Sequence, residues 1–470
     1  MNDFKGNSRY NAAVEIVRVL RGRGHQAYFA GGCVRDLLLG IAPKDFDVAT
    51  SATPDAVIGL FPKTFAVGAH FGVVLVCDAG SENQQHVTEV ATFRHDGAYS
   101  DGRRPDAVRF STNPREDVLR RDFTINGMLL DPVVLEETGD IAAATLDFVG
   151  GREDLKDGMI RAIGDPALRF AEDKLRMLRA VRFAARLEFA IESRTMAAMQ
   201  AAATEINQMS CERIRDELTR MLTEGHARRA FELLAESGLL QEVLPEAMKM
   251  QGVEQPPQYH PEGDVWVHTM MLLEKLPLAP APTTATLAWG ALLHDIGKPA
   301  TYQPPNPTIP GDRIRFNGHV EVGVRIAEEI LRRLRFSNED TAQIVTLVAN
   351  HMRFGDVRHM RESTLKRFLR LPRFEEHLAL HWLDASSAHG DLRLYEFAKE
   401  KFAEHPVEAV RPKLLVTGRE LIAAGYRPGT EFKAMLEAAE DAQLEGRVTT
   451  QAEAMALVYK QFGASIGRTT

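Results

Sequence analysis

Two apolar patterns divide this chain. Up to about residue 150 the apolar positions form short runs at 27–30, 65–76 and 86–93, and the last of these alternates apolar with polar residues. Short and alternating apolar runs are typical of strands. Helical spacing within 1–22 and a Ser-Ala-Thr-Pro start at 51–54 predict helices among these strands. We therefore expect a small mixed α/β domain.

From residue 151 onward, apolar positions recur three and four apart, which predicts helices. The segment 170–183 has a strongly helical pattern, and Ser210 followed by acidic residues is typical of a helix-start capping box. We divide the chain by composition into four parts. They are a mixed α/β domain at 1–150, a helical neck at 151–255, a histidine-rich helical domain at 256–400 and a helical tail at 401–470.

Composition narrows the class of protein. With 470 residues and 44% hydrophobic content, two to four ordinary globular domains are expected. The start lacks a signal pattern, no apolar run approaches the roughly 20 residues of a membrane helix, and three widely spaced cysteines fit a reducing compartment. We expect a cytoplasmic protein with no membrane partner and no disulfide partner. Since the net charge is −8, any nucleic-acid contact must be a local patch.

Two neighbouring motifs near the start indicate a site for phosphate and metal. Gly31 and Gly32 follow an apolar run and precede helically spaced residues, so their backbone N–H groups are placed to cradle a triphosphate. Asp45 and Asp47 flank an apolar residue, and the period of two in a strand puts both carboxylates on one face. Two oxygen donors on one face suit Mg²⁺.

These motifs, GGCVRDLLLG and KDFDVAT, resemble the signature of the class II nucleotidyltransferases, which include bacterial CCA-adding tRNA nucleotidyltransferases and poly(A) polymerases. The resemblance implies a mixed α/β head of the polymerase-beta superfamily, followed by an all-α neck. It implies that the two aspartates hold two Mg²⁺ ions. It also implies a triphosphate site, formed by Gly31, Gly32, Arg35 and Asp36.

Two further strings match the same family. In RRDFTIN, two guanidiniums and an amide offer contacts to phosphate and ribose, and the resemblance gives these roles to Arg120, Arg121, Asp122 and Asn126. The string EDKLR contains Glu172, Asp173 and Arg176. Asp173 and Arg176 are three residues apart and hence neighbours on a helix, where they can read the Watson–Crick edge of a base. The resemblance identifies them as the nucleotide-selecting pair.

Several positions remain open at this stage. Glu89, in the family-like stretch EVATFR with Arg94, lies either buried near the metal site or at a sheet edge. A stripe of arginines either contacts the RNA backbone or forms a solvated charged face. The stripe comprises Arg179, Arg182 and Arg186, and the neck motif adds Arg213. The Gly-, Asp- and Arg-rich stretch at 95–105 resembles the family's flexible loop for the change from CTP to ATP, although a plain hairpin connection is the alternative.

The C-terminal half carries a second constellation in the order H…HD…H…H…D. Its members are His268, His294, Asp295, His319, His351 and Asp384. This order resembles the HD phosphohydrolase superfamily, and imidazoles with carboxylates suit Mn²⁺, Fe, Co²⁺ or Ni²⁺. The last two members are the weaker assignments, because other histidines and acids lie nearby at 381, 389 and 391.

The combined resemblance predicts an enzyme that adds CCA to the 3′ end of tRNA from CTP and ATP. Three features favour CCA addition over poly(A) synthesis. They are the loop at 95–105, the sequence GMLLDP at 127–132 and the tail without a basic extension. A poly(A) polymerase, the A-adding half of a split pair, and a protein that works mainly as an HD phosphohydrolase stay open. Intact carboxylate and HD constellations disfavour a non-catalytic RNA-binding protein.

Overall fold

The computed structural model describes residues 6–68, 72–77, 86–96, 108–405 and 411–463. The chain forms two compact units, residues 1–245 and 246–470. Each is described by itself. The four-part division made from composition stays a prediction. No helix in the described part of the chain is long and apolar enough to cross a membrane.

The first unit is built on a seven-stranded mixed sheet in the order β3-β4-β5-β2-β1-β8-β9. The strands are β1 Ala27–Ala30, β2 Asp47–Thr50, β3 Thr64–Gly68, β4 Val73–Cys77, β5 Val87–Thr92, β6 Arg94–Asp96, β7 Val108–Phe110, β8 Met128–Leu130, β9 Thr145–Asp147, β10 Met159–Ile160 and β11 Ala190–Ile191. In this sheet β2 and β5 are parallel, and the other neighbours are antiparallel. The small pairs β6–β7 and β10–β11 lie outside it.

An aromatic cluster fixes the first helix and the segment before β2 against the sheet. The ring centroids of Tyr10, Phe29 and Phe46 lie 5.4–5.6 Å apart. Phe46 is 3% exposed, so its neighbours in sequence point the other way, as the alternating pattern predicts. The strand itself begins only at Asp47, so Asp45 lies in the extended segment before it.

Helices surround and follow this sheet. They span Ser8–Gly22, Gly32–Leu38, Pro54–Leu60, Pro114–Leu119, Pro132–Thr138, Ile141–Ala144, Gly151–Lys156, Pro166–Glu172, Leu175–Leu187, Ser193–Ala202, Cys211–Thr223, Ala227–Glu236, Leu239–Val243 and Pro245–Met248.

Two local predictions for these helices were wrong. The helix expected over 170–183 is broken, because Asp173 adopts an extended conformation (φ −145°, ψ 104°) between two helices. Ser210 occupies the N-cap position of the next long helix, but its side chain makes no capping hydrogen bond.

The second unit is helical, and among its described residues the only β pairing is an isolated bridge between Gln303 and Arg315. Its helices span Val265–Lys275, Ala285–Leu293, His319–Arg333, Asn338–Asn350, Glu362–Leu369, Phe374–Ser387, Arg393–Glu404, Gly418–Ala423, Thr430–Leu444 and Gln451–Phe462. Short 3₁₀ turns join several of them, among them His351–Asp356. The expected fold class, a mixed α/β head followed by all-α parts, is confirmed.

Candidate active site and metal cluster

The glycine pair forms the predicted strand-to-helix turn at the end of β1. Gly31 is the N-cap of the helix Gly32–Leu38 and has φ 76°, which disfavours any residue with a Cβ. A Cβ there would also lie 3.2 Å from Arg121 Nη1. Glycine thus allows the backbone and a guanidinium to approach each other at this turn.

Asp45 and Asp47 line the same concave surface as this turn. The Asp45 side chain is 76% exposed, and its Oδ1 accepts a hydrogen bond of 3.2 Å from Arg9 Nη1. Arg9 also donates to the backbone oxygen of Lys44. Sequence reasoning missed Arg9, because no motif connects the first helix to this site.

The electrostatics around Asp47 fit a cation. Desolvation, the charge of Glu89 and the charge of Asp45 raise the pKa of Asp47 to about 6, against the opposing charge of Arg121. The Asp47 carboxylate still reaches solvent. The carboxylates of Asp45, Asp47 and Glu89 repel one another. A divalent cation bound by such carboxylate oxygens relieves this repulsion.

Glu89 fits neither of its two expected settings. Its strand β5 lies between β4 and β2, so it is not at a sheet edge, and its side chain is exposed rather than buried. In the parallel pairing of β5 with β2, Val90 lies opposite Val48, so Glu89 is on the strand next to Asp47, and its charge raises the pKa of Asp47. Arg94 begins β6, which pairs with β7. Most of the loop predicted at 95–105, namely residues 97–105, lies outside the described residues.

The paired arginines of RRDFTIN are held by a buried carboxylate. Asp117 is 1% exposed; its Oδ1 accepts from Arg120 at 2.6 Å and its Oδ2 from Arg121 at 2.9 Å. Burial opposes its ionised form, but the two guanidiniums outweigh this and lower the pKa of Asp117. Sequence reasoning missed Asp117. It precedes Arg120 by three residues and Arg121 by four, a spacing that could have indicated the contact.

A chain of hydrogen bonds joins the glycine-turn helix to the long neck helix. Arg35 donates to Asn126 Oδ1 (2.8 Å), and Asn126 Nδ2 donates to Asp122 Oδ1 (3.2 Å). Arg179 donates to Asp122 Oδ2 at 2.6 and 2.9 Å. Arg35 also pairs with Asp36 at 2.6 Å. The structure therefore brings the predicted triphosphate and ribose residues into one network.

Asp173 and Arg176 are not neighbours on one helix, which corrects the expected geometry. Asp173 accepts from Arg213 at 3.1 Å. Arg176 donates instead to Glu172 Oε2 (2.6 Å) and to the backbone oxygen of Arg120 (3.0 Å). Both residues still line one cavity, so they face it from two separately held positions.

The arginine stripe is neither a solvated face nor an open basic surface. Arg182 is 5% exposed and donates to Glu217 at 2.7 Å. Arg179 pairs with Asp122, and Arg186 lies 3.9 Å from Asp36 Oδ2. These side chains turn inward toward carboxylates. Their predicted contact with RNA stays a prediction.

Most of the predicted site residues of the first unit line one cavity of about 640 Å³. Its lining comprises Gly31, Gly32, Cys33, Arg35, Asp36, Lys44, Asp45, Asp47, Arg120, Arg121, Asp122, Asn126, Asp173, Leu175, Arg176, Arg179, Arg182, Phe183, Arg186, Arg213, Arg220 and Glu224. The lining contains both carboxylates and guanidiniums, and the guanidiniums are more numerous. The cavity therefore suits a polyanion together with a cation.

The second unit brings the six predicted histidines and aspartates together. His294 ends the helix Ala285–Leu293, and Gly297 lets the next ligand candidate approach. A Cβ at Gly297 would lie 2.1 Å from the backbone oxygen of His319. Glycine at this position is what allows the start of the helix His319–Arg333 to contact the His-Asp turn.

The ligand atoms form two adjacent groups of the kind that hold metal. One group is His268, His294 and Asp384, and the other is Asp295, His319 and His351; within each group the atoms lie within 4.8 Å of one another. Asp295 connects the two, because its Oδ2 lies 3.2 Å from His294 Nε2 and its Oδ1 lies 3.7 Å from His319 Nε2.

The orientation of three imidazoles fits metal ligation. The Nδ1–H groups of His294, His319 and His351 each donate to the backbone oxygen three residues earlier, at 2.7–2.9 Å. Each Nε2 is then a bare acceptor that faces the cluster. The Nε2 atoms of His319 and His351 lie only 3.4 Å apart, and that of His294 is buried without a hydrogen bond. Bare nitrogens this close repel each other unless a cation lies between them.

The pKa shifts agree with neutral imidazoles at two positions. Burial lowers the pKa of His319, and burial lowers the pKa of His351 to about 4. His268 differs: burial is outweighed by its hydrogen bonds to Asp384 and Glu262, which raise its pKa to about 9. Its Nε2 lies 3.1 Å from Asp384 Oδ1, and its Nδ1 2.6 Å from Glu262 Oε1. Glu262 was also missed from the sequence.

The nearby alternatives to His351 and Asp384 are engaged elsewhere. The ring of His381 stacks on Phe354 with centroids 4.3 Å apart. Asp391 pairs with its neighbour Arg393. Lys298 is buried between Asp295 (2.6 Å) and Gln255 (2.7 Å).

Comparison with known families agrees with the two-site organisation. Residues 27–161 match the poly A polymerase head domain. Residues 188–250 match the probable RNA and SrmB-binding site of polymerase A, and residues 264–383 match the HD domain.

Among curated proteins, the chain is 41% identical over 237 residues to the CCA-adding enzyme of Bacillus pumilus, and 44% over 230 residues to that of Geobacillus thermodenitrificans. These matches cover 50% and 49% of this chain. The chain spans about half the length of these relatives, 56% and 54%.

Among solved structures, the chain is similar to the Bacillus stearothermophilus CCA-adding enzyme in complex with CTP, with a TM-score of 0.71 and 27% identity. That match covers 97% of this chain and 98% of the other. The Thermotoga maritima CCA-adding enzyme complexed with tRNA shares the fold, with a TM-score of 0.55, 19% identity, and coverage of 96% and 95%.

Proposed function

We propose that this protein is a template-independent RNA nucleotidyltransferase that adds C, C and A to the 3′ end of tRNA from CTP and ATP. The observation that carries the proposal is the cavity of the first unit, where Asp45 and Asp47 face Arg120, Arg121 and the glycine turn. The similarity to CCA-adding enzymes, one of them solved with CTP, supports CCA addition over poly(A) synthesis.

Each group of cavity residues is proposed to have its own role in the reaction. Asp45 and Asp47 would hold Mg²⁺, which when bound makes the tRNA 3′-hydroxyl a better nucleophile and neutralises the triphosphate. Arg120 and Arg121, fixed by Asp117, would stabilise the negative charge that develops on the phosphates. The 3′-oxygen attacks the α-phosphorus in line, the α–β anhydride bond breaks, and pyrophosphate leaves.

Asp122 and Asn126 are proposed to seat the ribose, while Asp173 and Arg176 read the base. Asp173 is held by Arg213 and Arg176 by Glu172, and we propose that each exchanges partners when a nucleotide enters. Such an exchange is a means to present one hydrogen-bond pattern to cytosine and another to adenine.

A second activity, hydrolysis of phosphoesters, is proposed for the histidine cluster. The pair of bare Nε2 atoms of His319 and His351, 3.4 Å apart, favours it over a purely structural cluster. The imidazole and carboxylate donors suit Mn²⁺, Fe, Co²⁺ or Ni²⁺, which when bound would activate water against phosphorus.

The test uses tRNA transcripts that end before the first C, after the second C, or after the complete CCA, with each labelled nucleotide and Mg²⁺. We expect two cytidines and then one adenosine, with no product from the Asp45→Ala variant and normal product from His294→Ala. Incorporation of ATP alone after CC would indicate an A-adding enzyme. An unlimited ladder of A would indicate a poly(A) polymerase.

A further inference from the structure

One imidazole of the histidine cluster is held differently from the other three. His294, His319 and His351 each donate Nδ1–H to a neutral backbone oxygen. His268 instead has its Nδ1 2.6 Å from a carboxylate oxygen, Glu262 Oε1. The two groups of ligand atoms are therefore not equivalent, because only the group with His268 contains an imidazole supported by an anion.

Glu262 is buried at the point where it contacts His268. Its side chain is 4% exposed, and its Oε1 also accepts from His260 Nδ1 at 2.9 Å. The rings of His260 and His268 meet edge to face with centroids 4.9 Å apart. The other oxygen, Oε2, is buried without a hydrogen bond to any described residue. A buried carboxylate with one unsatisfied oxygen is costly, so its retention calls for a role beyond packing.

A carboxylate behind a ligating imidazole fixes the ring and raises its basicity toward metal. We propose that Glu262, assisted by His260, is a positioning residue that gives the subsite of His268, His294 and Asp384 a higher affinity for a divalent transition metal than the adjacent subsite of Asp295, His319 and His351. The inference rests on the metal cluster proposed above for the second unit, and not on nucleotide addition by the first.

The alternative is that His260, Glu262 and His268 themselves hold a third ion, since their ligand atoms also lie within 4.8 Å of one another. His268 would then have to bind one metal through Nδ1 and another through Nε2, which requires loss of both ring protons. If Glu262 instead accepts a hydrogen bond from Nδ1–H of His268, the imidazole keeps that proton and binds one metal through Nε2. The number of ions bound distinguishes the two arrangements.

The experiment titrates the full chain with Co²⁺, by equilibrium dialysis with metal analysis and by the visible absorption of bound Co²⁺. Every protein carries Asp45→Asn and Asp47→Asn, so that the carboxylates of the first unit do not bind the probe. We expect two ions in two separable steps. Glu262→Gln, which keeps an acceptor but loses the charge, should weaken the tighter step by about tenfold, and Glu262→Ala by about 100-fold, the range typical of partners behind metal ligands.

His260→Ala should give a smaller loss in the same step and change the absorption band of that ion. The matched control is Glu254→Gln, which removes an exposed carboxylate from the same segment and should leave both steps unchanged.

Three results would overturn the proposal: an isotherm unchanged in both Glu262 variants, three bound ions in the parent protein, or an equal loss in both steps together with a lower unfolding temperature of the metal-free protein. The last result would show a structural role. Failure of tRNA addition in a chain with intact aspartates would change none of these readings.

Discussion

The carboxylates of the two sites differ in their exposure to solvent. In the first unit Asp45 is 76% exposed, whereas in the histidine cluster the Asp295 side chain is 3% exposed and contacts three imidazoles and a lysine. An open carboxylate pair lets a hydrated cation arrive and leave with its nucleotide. A closed set of imidazoles and carboxylates suits a resident metal. If both sites bind metal as proposed, aspartate serves an exchanging cation in one and a resident cation in the other.

The largest expected effect tests whether the two sites are independent. Asp47→Ala should reduce nucleotide addition by about 10³-fold or more, since a bound cation supplies several kcal/mol of transition-state stabilisation. It should leave hydrolysis of a chromogenic phosphomonoester unchanged. Asp295→Ala should do the reverse. Loss of both activities in either variant would show that the sites depend on each other.

The second prediction contrasts the acid stability of the two units. Burial, aided by the charge of Arg353, lowers the pKa of His377 to about 4, so its contribution to stability is complete above about pH 6.5 and is lost as the pH falls toward 4. In the first unit Arg179 outweighs burial and lowers the pKa of Asp122, and Asp117 is lowered likewise. Their contribution is present above pH 3.8 and is lost only below it.

The three tryptophans, Trp266, Trp289 and Trp382, all lie in the second unit, so their fluorescence reports on that unit alone. We expect the free energy of unfolding that they report to fall by a few kcal/mol between pH 6.5 and 4, at about 1.4 kcal/mol per pKa unit. His377→Leu should reduce this pH dependence. An identical dependence in the variant would contradict the assignment.

The third prediction concerns base selection in the first unit. Arg213→Met removes the guanidinium that holds Asp173, and charge-assisted hydrogen bonds contribute roughly 1.5–3 kcal/mol. We expect the preference between CTP and ATP at each position to fall about tenfold, more than the total rate does. Arg215→Met is the matched control, because Arg215 pairs with its neighbour Asp216. An equal effect of both substitutions would argue for a general loss of charge.

The smallest effect is expected at Arg9. Its contact with Asp45 joins two exposed side chains, and such pairs contribute 0–1 kcal/mol. Arg9→Ala should therefore change the Mg²⁺ concentration for half-maximal nucleotide addition by less than about fivefold. A much larger change would show that this guanidinium contacts the substrate as well.

Much of the fold and the chemistry followed from the sequence. Strands β1 to β5 and the glycine turn depend on spacing within a few residues, which local sterics and burial decide. The aspartate pair and the His-Asp pair carry their chemistry in adjacent positions. For these features a short stretch of sequence contains nearly all of the physical information.

The tertiary structure decided which charges pair. Asp173 takes Arg213, 40 residues away, rather than Arg176, and Asp122 takes Arg179, 57 residues away. The break at Asp173 and the inward turn of Arg182 follow from the packing of separate helices. The spacing of apolar residues along the sequence does not reveal this packing. Glu262 likewise matters only because the fold sets it behind His268. The sequence by itself determined which chemical groups this protein has and, for most of them, the local element on which they lie. Packing determined their partners, because a buried charge takes the partner that the fold brings within reach.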